Sequence, residues 1–192
     1  LREGANLVFN GYLKSAREQF RLYQRLGERT FDQVSDDGLF RRSDPEANSI
    51  AILVNHLHGN MRSRWTDFLT SDGEKEWRER DREFEDVITS REEMLARWHD
   101  GWQCLFTALD SVHAGNFDTT VTIRNQAHTI IDAVNRQLCH YAYHVGQIVL
   151  LGRAERRGEW KSLSIPRDGS TAFNTEKFGR GLHGGHFTDD LK

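Results

Sequence analysis

Proline and cysteine are scarce. With only two prolines, Pro45 and Pro166, in 192 residues, the stretches between them are free to run as long helices, because proline removes a backbone donor and clashes with the preceding turn. Two cysteines, Cys104 and Cys139, both fall in helical patterns. They do not make a disulfide framework, and they fit two small apolar side chains in a reducing compartment, so a cytoplasmic location is expected. Long apolar runs are lacking too: the longest, Ile148-Val149-Leu150-Leu151, falls far short of the roughly 20 residues that span a bilayer. The opening LREGANLVFN carries an early acid and no apolar stretch of secretory length, so no leader is expected within it. There is no basic excess. The net charge is −3 and the pI about 6.3, which speaks against a nucleic-acid partner.

Helical periodicity is abundant. Leu13, Phe20, Leu22, Tyr23 and Leu26 recur mostly at three and four residues and predict a helix over about 3–34. Asp44, Pro45 and Glu46 form a helix-start signature. Ile50, Leu53, Val54, Leu57, Met61, Trp65 and Phe68 carry the stripe onward, which predicts a second helix over 45–70. A capping pair, Ser90 and Glu93, opens a third that ends near Val112. A fourth follows from about Thr129 through Ile131, Val134, Leu138, Tyr141, Val145 and Ile148 towards Gly158.

Between the second and third lies TSDGEKEWRERDREFEDVITS, read as an exposed, solvated connection. Thr119–Ile123 is β-branched enough for a short extended segment. After Glu159 the helical period stops and glycine accumulates. The expectation is an all-α four-helix bundle over residues 1–158 and a mostly irregular C-terminal tail over 159–192.

One helix face raises a chemical question. His140 and His144 stand four residues apart, which points both imidazoles the same way, and Gln137 and Gln147 extend the polar strip. Such a pair can share one metal ion, or the rings can simply bond to other helices. Nine histidines in the chain make a chance pair common. The second helix adds NHLHGN, with His56 on the face of Ile52 and Asn60 and His58 roughly opposite. One ligand from one helix and an i,i+4 pair from another can converge in a bundle core and leave an open coordination position. His99, His113 and His128 read as surface or capping residues, and His183 and His186 lie in the tail. Asn60 and Gln147 are candidates to orient ligands. No acid is obviously placed as a general base, Asp67 and Asp132 being the nearest on these helices. Trp65, Trp98, Trp102, Tyr141 and Tyr143 fit core packing better than a substrate pocket; Tyr143 points elsewhere and can face another subunit.

His140-Tyr-Ala-Tyr-His144-Val-Gly-Gln-Ile resembles the last-helix signature of the DinB/YfiT-like metalloenzymes, and NHLHGN resembles their other ligand motif. The resemblance covers about residues 5–155. NMRSRWTDFL, NRQLCHYAYHVGQIV and WKSLSIPR are similar to one subfamily whose activity is uncharacterised. The resemblance implies a four-helix bundle, commonly a homodimer, with zinc, nickel or another divalent ion on His56, His140 and His144. It also implies a low-molecular-weight thiol as co-substrate, since better understood relatives are bacillithiol transferases and a mycothiol-dependent isomerase. Three functions stand open: a metal-dependent thiol transferase or hydrolase acting on a small molecule, a non-catalytic metal-binding or stress-response protein, and a helical dimerisation scaffold without metal.

Overall fold

The computed structural model describes residues 2–191, with side-chain burial from Phe9 to Asp190. It is mostly helical. The elements run α1 (Arg2–Phe31), α2 (Asp36–Phe40), α3 (Ile50–Trp65), α4 (Arg91–Asp110), β1 (Val121–Ile123), β2 (Gln126–His128), α5 (Ile130–Arg156) and α6 (Ser170–Gly179). Short 3-10 turns lie at Arg80–Phe84, Arg157–Glu159 and Phe187–Leu191. Among the described residues no helix is long and apolar enough to cross a membrane.

The apolar stripes do what their spacing predicts. α3 packs on α4 and α1 on α5, and further α3–α5 and α1–α4 contacts join the two pairs. The largest fully buried side chains include Trp98, Trp102, Tyr141, Phe20 and Phe31. Trp98 lies so close to α1 that a Cβ on Gly27 would stand 2.3 Å from its Cζ2. Only glycine permits that approach.

Caps explain where the helices begin. Ser90 Oγ accepts from Glu93 N at 3.1 Å, and the Glu93 carboxylate reaches back to Thr89 N. Thr129 Oγ1 accepts from Asp132 N at 3.0 Å and starts α5. α3 is shorter than 45–70 at both ends. Asp44 closes a turn, accepting from Glu46 N at 2.9 Å, and the helix waits for Ser49, whose Oγ takes Ile52 N at 3.1 Å. At the far end Thr66 is extended and Asp67 has φ 49, so the chain leaves the helix after Trp65.

The expected extended segment is the first strand of an antiparallel hairpin that pairs Val121 with His128, Thr122 with Ala127 and Ile123 with Gln126. Arg124 and Asn125 have φ 54 and 60, the left-handed pair of a tight two-residue turn. The hairpin braces the segment after α3. Asp72 accepts from the backbone N–H groups of Glu74, Arg124 and Asn125, and Gly73 N donates to Thr122 O at 2.8 Å.

Two expectations need correction. The charged segment over 71–88 is not simply a solvated connection, because Glu83 and Ile88 in it are buried. The tail is less irregular than expected: it holds α6, and Leu163 and Thr188 are buried. Arg29 donates to Leu163 O at 3.2 Å, and Gln33 exchanges bonds with Lys161, so this part of the tail is fastened to α1. None of the α6 residues is buried and no side chain caps its start, so it leaves no stripe or cap in the sequence.

Candidate metal centre

α3 and α5 bring His56, His140 and His144 together. One ring nitrogen from each lies within 4.8 Å of the other two. His56 Nε2 stands 3.2 Å from His140 Nε2, and the His144 ring centroid is 4.7 Å from both other rings. His56 is buried, while His140 and His144 are half-buried. This cluster could hold a metal ion.

The outer bonds of the rings decide which nitrogens are free. His56 Nδ1 is 2.8 Å from Glu83 Oε2. Arg78 binds the same carboxylate twice, Nε to Oε1 at 2.7 Å and Nη2 to Oε2 at 3.0 Å. Burial pulls the Glu83 carboxyl up, but its bonds with His56 and Arg78 outweigh that and hold it below its ordinary value. A carboxylate only accepts, so His56 Nδ1 donates and Nε2 turns its lone pair towards the other histidines. On His144, Nδ1 donates to Gln147 Oε1 at 2.8 Å, which leaves Nε2 to coordinate. Outer-shell bonds of this kind orient metal-ligating imidazoles. Phe84 stacks on the His56 ring at 4.6 Å and closes it from the side.

Glu83 was not foreseen. Its segment enters the site because α3 has no side chain at Gly59, where a Cβ would lie 2.4 Å from Glu83 Oε1. The glycine of NHLHGN therefore makes room for the carboxylate that holds the histidine three residues before it. The apolar Phe84, Val87 and Ile88 that break the charge run mark the segment as packed, but they do not single out Glu83 among its acids.

The other candidates fall elsewhere. His58 points away and meets Asp100 at 2.8 Å. His99 faces Glu28 at 3.5 Å, His113 takes Gly115 N at 3.1 Å in a turn, and His128 sits in β2. His183 bonds Gly181 O and His186 bonds Ser15 and Thr188, far from the cluster in both cases. Gln147 does orient a ligand. Asn60 instead accepts from Tyr141 OH at 3.1 Å, which accepts from Trp65 Nε1 at 2.9 Å. Trp65, Trp98, Trp102 and Tyr141 are core, and Tyr143 is 64% exposed.

A cavity of about 280 Å³ opens in front of the histidines, and His56, His140 and His144 form part of its wall. Asp67 and Asp132 are not among its lining residues, and neither is any other acid.

Burial, reinforced by His144, His56, Arg64 and Arg78, pushes the His140 imidazole down to about 3. Burial also lowers His144, against the bond to Gln147. The unfolded chain keeps the ordinary value of 6.5 for these rings. As pH falls below it, the unfolded state takes up protons that the folded state refuses. Metal-free protein is therefore expected to lose stability as pH drops from about 6.5 towards 3, and His140→Gln is expected to flatten that loss. Urea midpoints measured from pH 7 to pH 4 check this; identical slopes for the two proteins would contradict it.

The fold and site define a mostly helical protein with a histidine triad at a cavity mouth. The chain belongs to the family described as "Protein of unknown function (DUF1572)", which matches residues 8–169 and lies within the DinB/YfiT-like group. No curated protein matches the chain, and no solved structure does.

Proposed function

We propose that the chain is a DinB-like four-helix bundle that holds a divalent ion, zinc or nickel, on His56, His140 and His144 and acts on a small molecule as a thiol-dependent transferase or a hydrolase. One observation carries this reading: three imidazoles converge at a cavity, and two have their outer nitrogens already committed to Glu83 and Gln147. Three protein ligands facing open space are the arrangement of catalytic rather than structural sites. When bound, such an ion acidifies a thiol or a water molecule towards neutral pH.

The chain's own residues favour the thiol. No carboxylate lines the cavity, and Glu83 is committed to His56 and Arg78, so no acidic general base stands by. A thiol, with an ordinary pKa of about 8.5, needs far less help to lose its proton than water, which is a much weaker acid. Gln147 and Glu83 fix two of the rings, and Phe84 covers one face of the His56 ring.

A second reading, a non-catalytic metal-binding dimer, draws on the surface of α5. Tyr143 and Leu150, seven residues apart on one face, are 64% and 67% exposed. That apolar face suits a second copy of the chain in either reading.

Elemental analysis of purified protein is expected to find about one zinc or nickel ion per chain, consistent with imidazole ligands. A panel of thiols and electrophiles assayed with the loaded protein then separates transferase from carrier. Protein that retains neither ion after soaking with both would remove the site's chemistry altogether.

A further inference from the structure

The cavity in front of the histidines has a strong sign of charge. Its wall and rim hold five guanidinium groups, Arg64, Arg78, Arg80, Arg124 and Arg136, with no carboxylate among the lining residues. The chain as a whole is acidic, at −3, so this is a local feature and not the general field of the molecule.

The five arginines divide by what already binds them. Arg64 and Arg78 have side chains only 5% and 2% exposed. They spend most of their donors on Glu74, Glu83 and the Gly73 carbonyl, while Arg64 Nε is buried without a partner among the described residues. The other three stand at the rim. Arg124 reaches Glu74 through Nε alone, at 3.1 Å. Arg80 lies over the Phe84 ring at 5.3 Å, and its nearest carboxylate, the fully exposed Asp81, is 3.8 Å away. Arg136 is exposed and has no partner among the described residues. The same wall contains Gln137, 3% exposed, whose Oε1 is buried without a partner. A buried acceptor of that kind calls for a donor, and none comes from the described residues.

We infer that the cavity takes a small anionic molecule. Its carboxylate or phosphate is gripped by Arg80, Arg124 and Arg136, and a hydroxyl or N–H group on it donates to Gln137 Oε1. Placing its reactive end against the histidines rests on the metal reading; the grip on the anion does not. Planar guanidinium forks match carboxylate and phosphate oxygens in pairs. The volume of about 280 Å³ sits at the small end of ligand pockets, which fits a metabolite-sized acid rather than a polymer.

Calorimetric titration at low ionic strength tests this with succinate, inorganic phosphate and the neutral succinamide, on the metal-free and zinc-loaded chain. At least one anion is expected to bind at one site per chain, and the succinate and phosphate arms tell carboxylate from phosphate. Succinamide is expected to show no saturation. The combined Arg80→Gln, Arg136→Gln variant is expected to weaken the anion about tenfold or more while its zinc content and helical signal stay at wild-type values. Arg82→Gln, which removes one positive charge from the same turn as Arg80 but outside this cavity, should leave binding unchanged. The inference is overturned if neither anion binds, if succinamide competes equally, or if the double variant binds like wild type. Zinc content is read separately. A protein without zinc whose anion binding still depends on Arg80 and Arg136 loses the metal reading and keeps this one.

Discussion

Replacing His144 with alanine is expected to strip stoichiometric zinc or nickel from the protein while the helical signal stays intact. His144 is half-buried at the cavity wall, and among the described residues the only hydrogen bond of its side chain is to Gln147 on its own helix, so little of the core depends on it. Two imidazoles remain. Loss of an outer-shell partner alone commonly costs 10–100-fold in affinity, so loss of a ligand is expected to cost more than about hundredfold. His56 is a poorer choice for the experiment: it is buried, and its removal would leave Glu83 facing a void. A second readout is thermal. An ion that binds only the folded state adds about 2.7 kcal/mol at a hundred times its Kd. Zinc should therefore raise the Tm of wild type and leave that of His144→Ala where it was. A variant that still held one ion per chain with wild-type affinity would show that the triad is only three neighbouring core histidines.

The long helices were legible because periodicity and caps agree. Ser90 and Thr129 mark the starts of α4 and α5 in sequence and in structure alike. The start of α3 was not, since Asp44-Pro45-Glu46 carries the start signature in the sequence, whereas in the structure the Asp44 side chain closes a turn and Ser49 caps the helix. For the site, the i,i+4 spacing of His140 and His144 was readable from helix geometry, and family resemblance chose His56 over His58. Glu83 was invisible for a physical reason. It sits in a five-residue 3-10 turn with no period of its own, and its burial comes from a partner 27 residues away. Among glutamates, arginines and aspartates, nothing local tells a buried carboxylate from a solvated one. The cationic cavity was hidden in the same way, since its arginines come from α3, the segment after it, the hairpin and α5, and only folding gathers them.

Glu83 is accordingly where the second large effect is expected. Glu83→Ala leaves the Arg78 guanidinium, 2% exposed, with Glu74 as its remaining carboxylate, and leaves His56 Nδ1 with no acceptor. Removing one partner of a buried ion pair costs about 3–5 kcal/mol, so a large drop in Tm is expected even without metal. Glu83→Gln keeps the shape and an acceptor oxygen, so its loss of stability should be smaller. Yet the amide no longer obliges His56 Nδ1 to donate, and the tautomer that aims Nε2 at the cavity loses its anchor. Zinc affinity in Glu83→Gln is therefore expected to fall about 10–100-fold. Gly59→Ala approaches the same bond from the helix side, because its methyl group would overlap the carboxylate and push it off the histidine. The two variants should resemble each other in zinc affinity although one changes a charge and the other only adds a methyl. If Glu83→Gln and Gly59→Ala both bind zinc as wild type does, the carboxylate serves Arg78 alone and His56 is held by its packing.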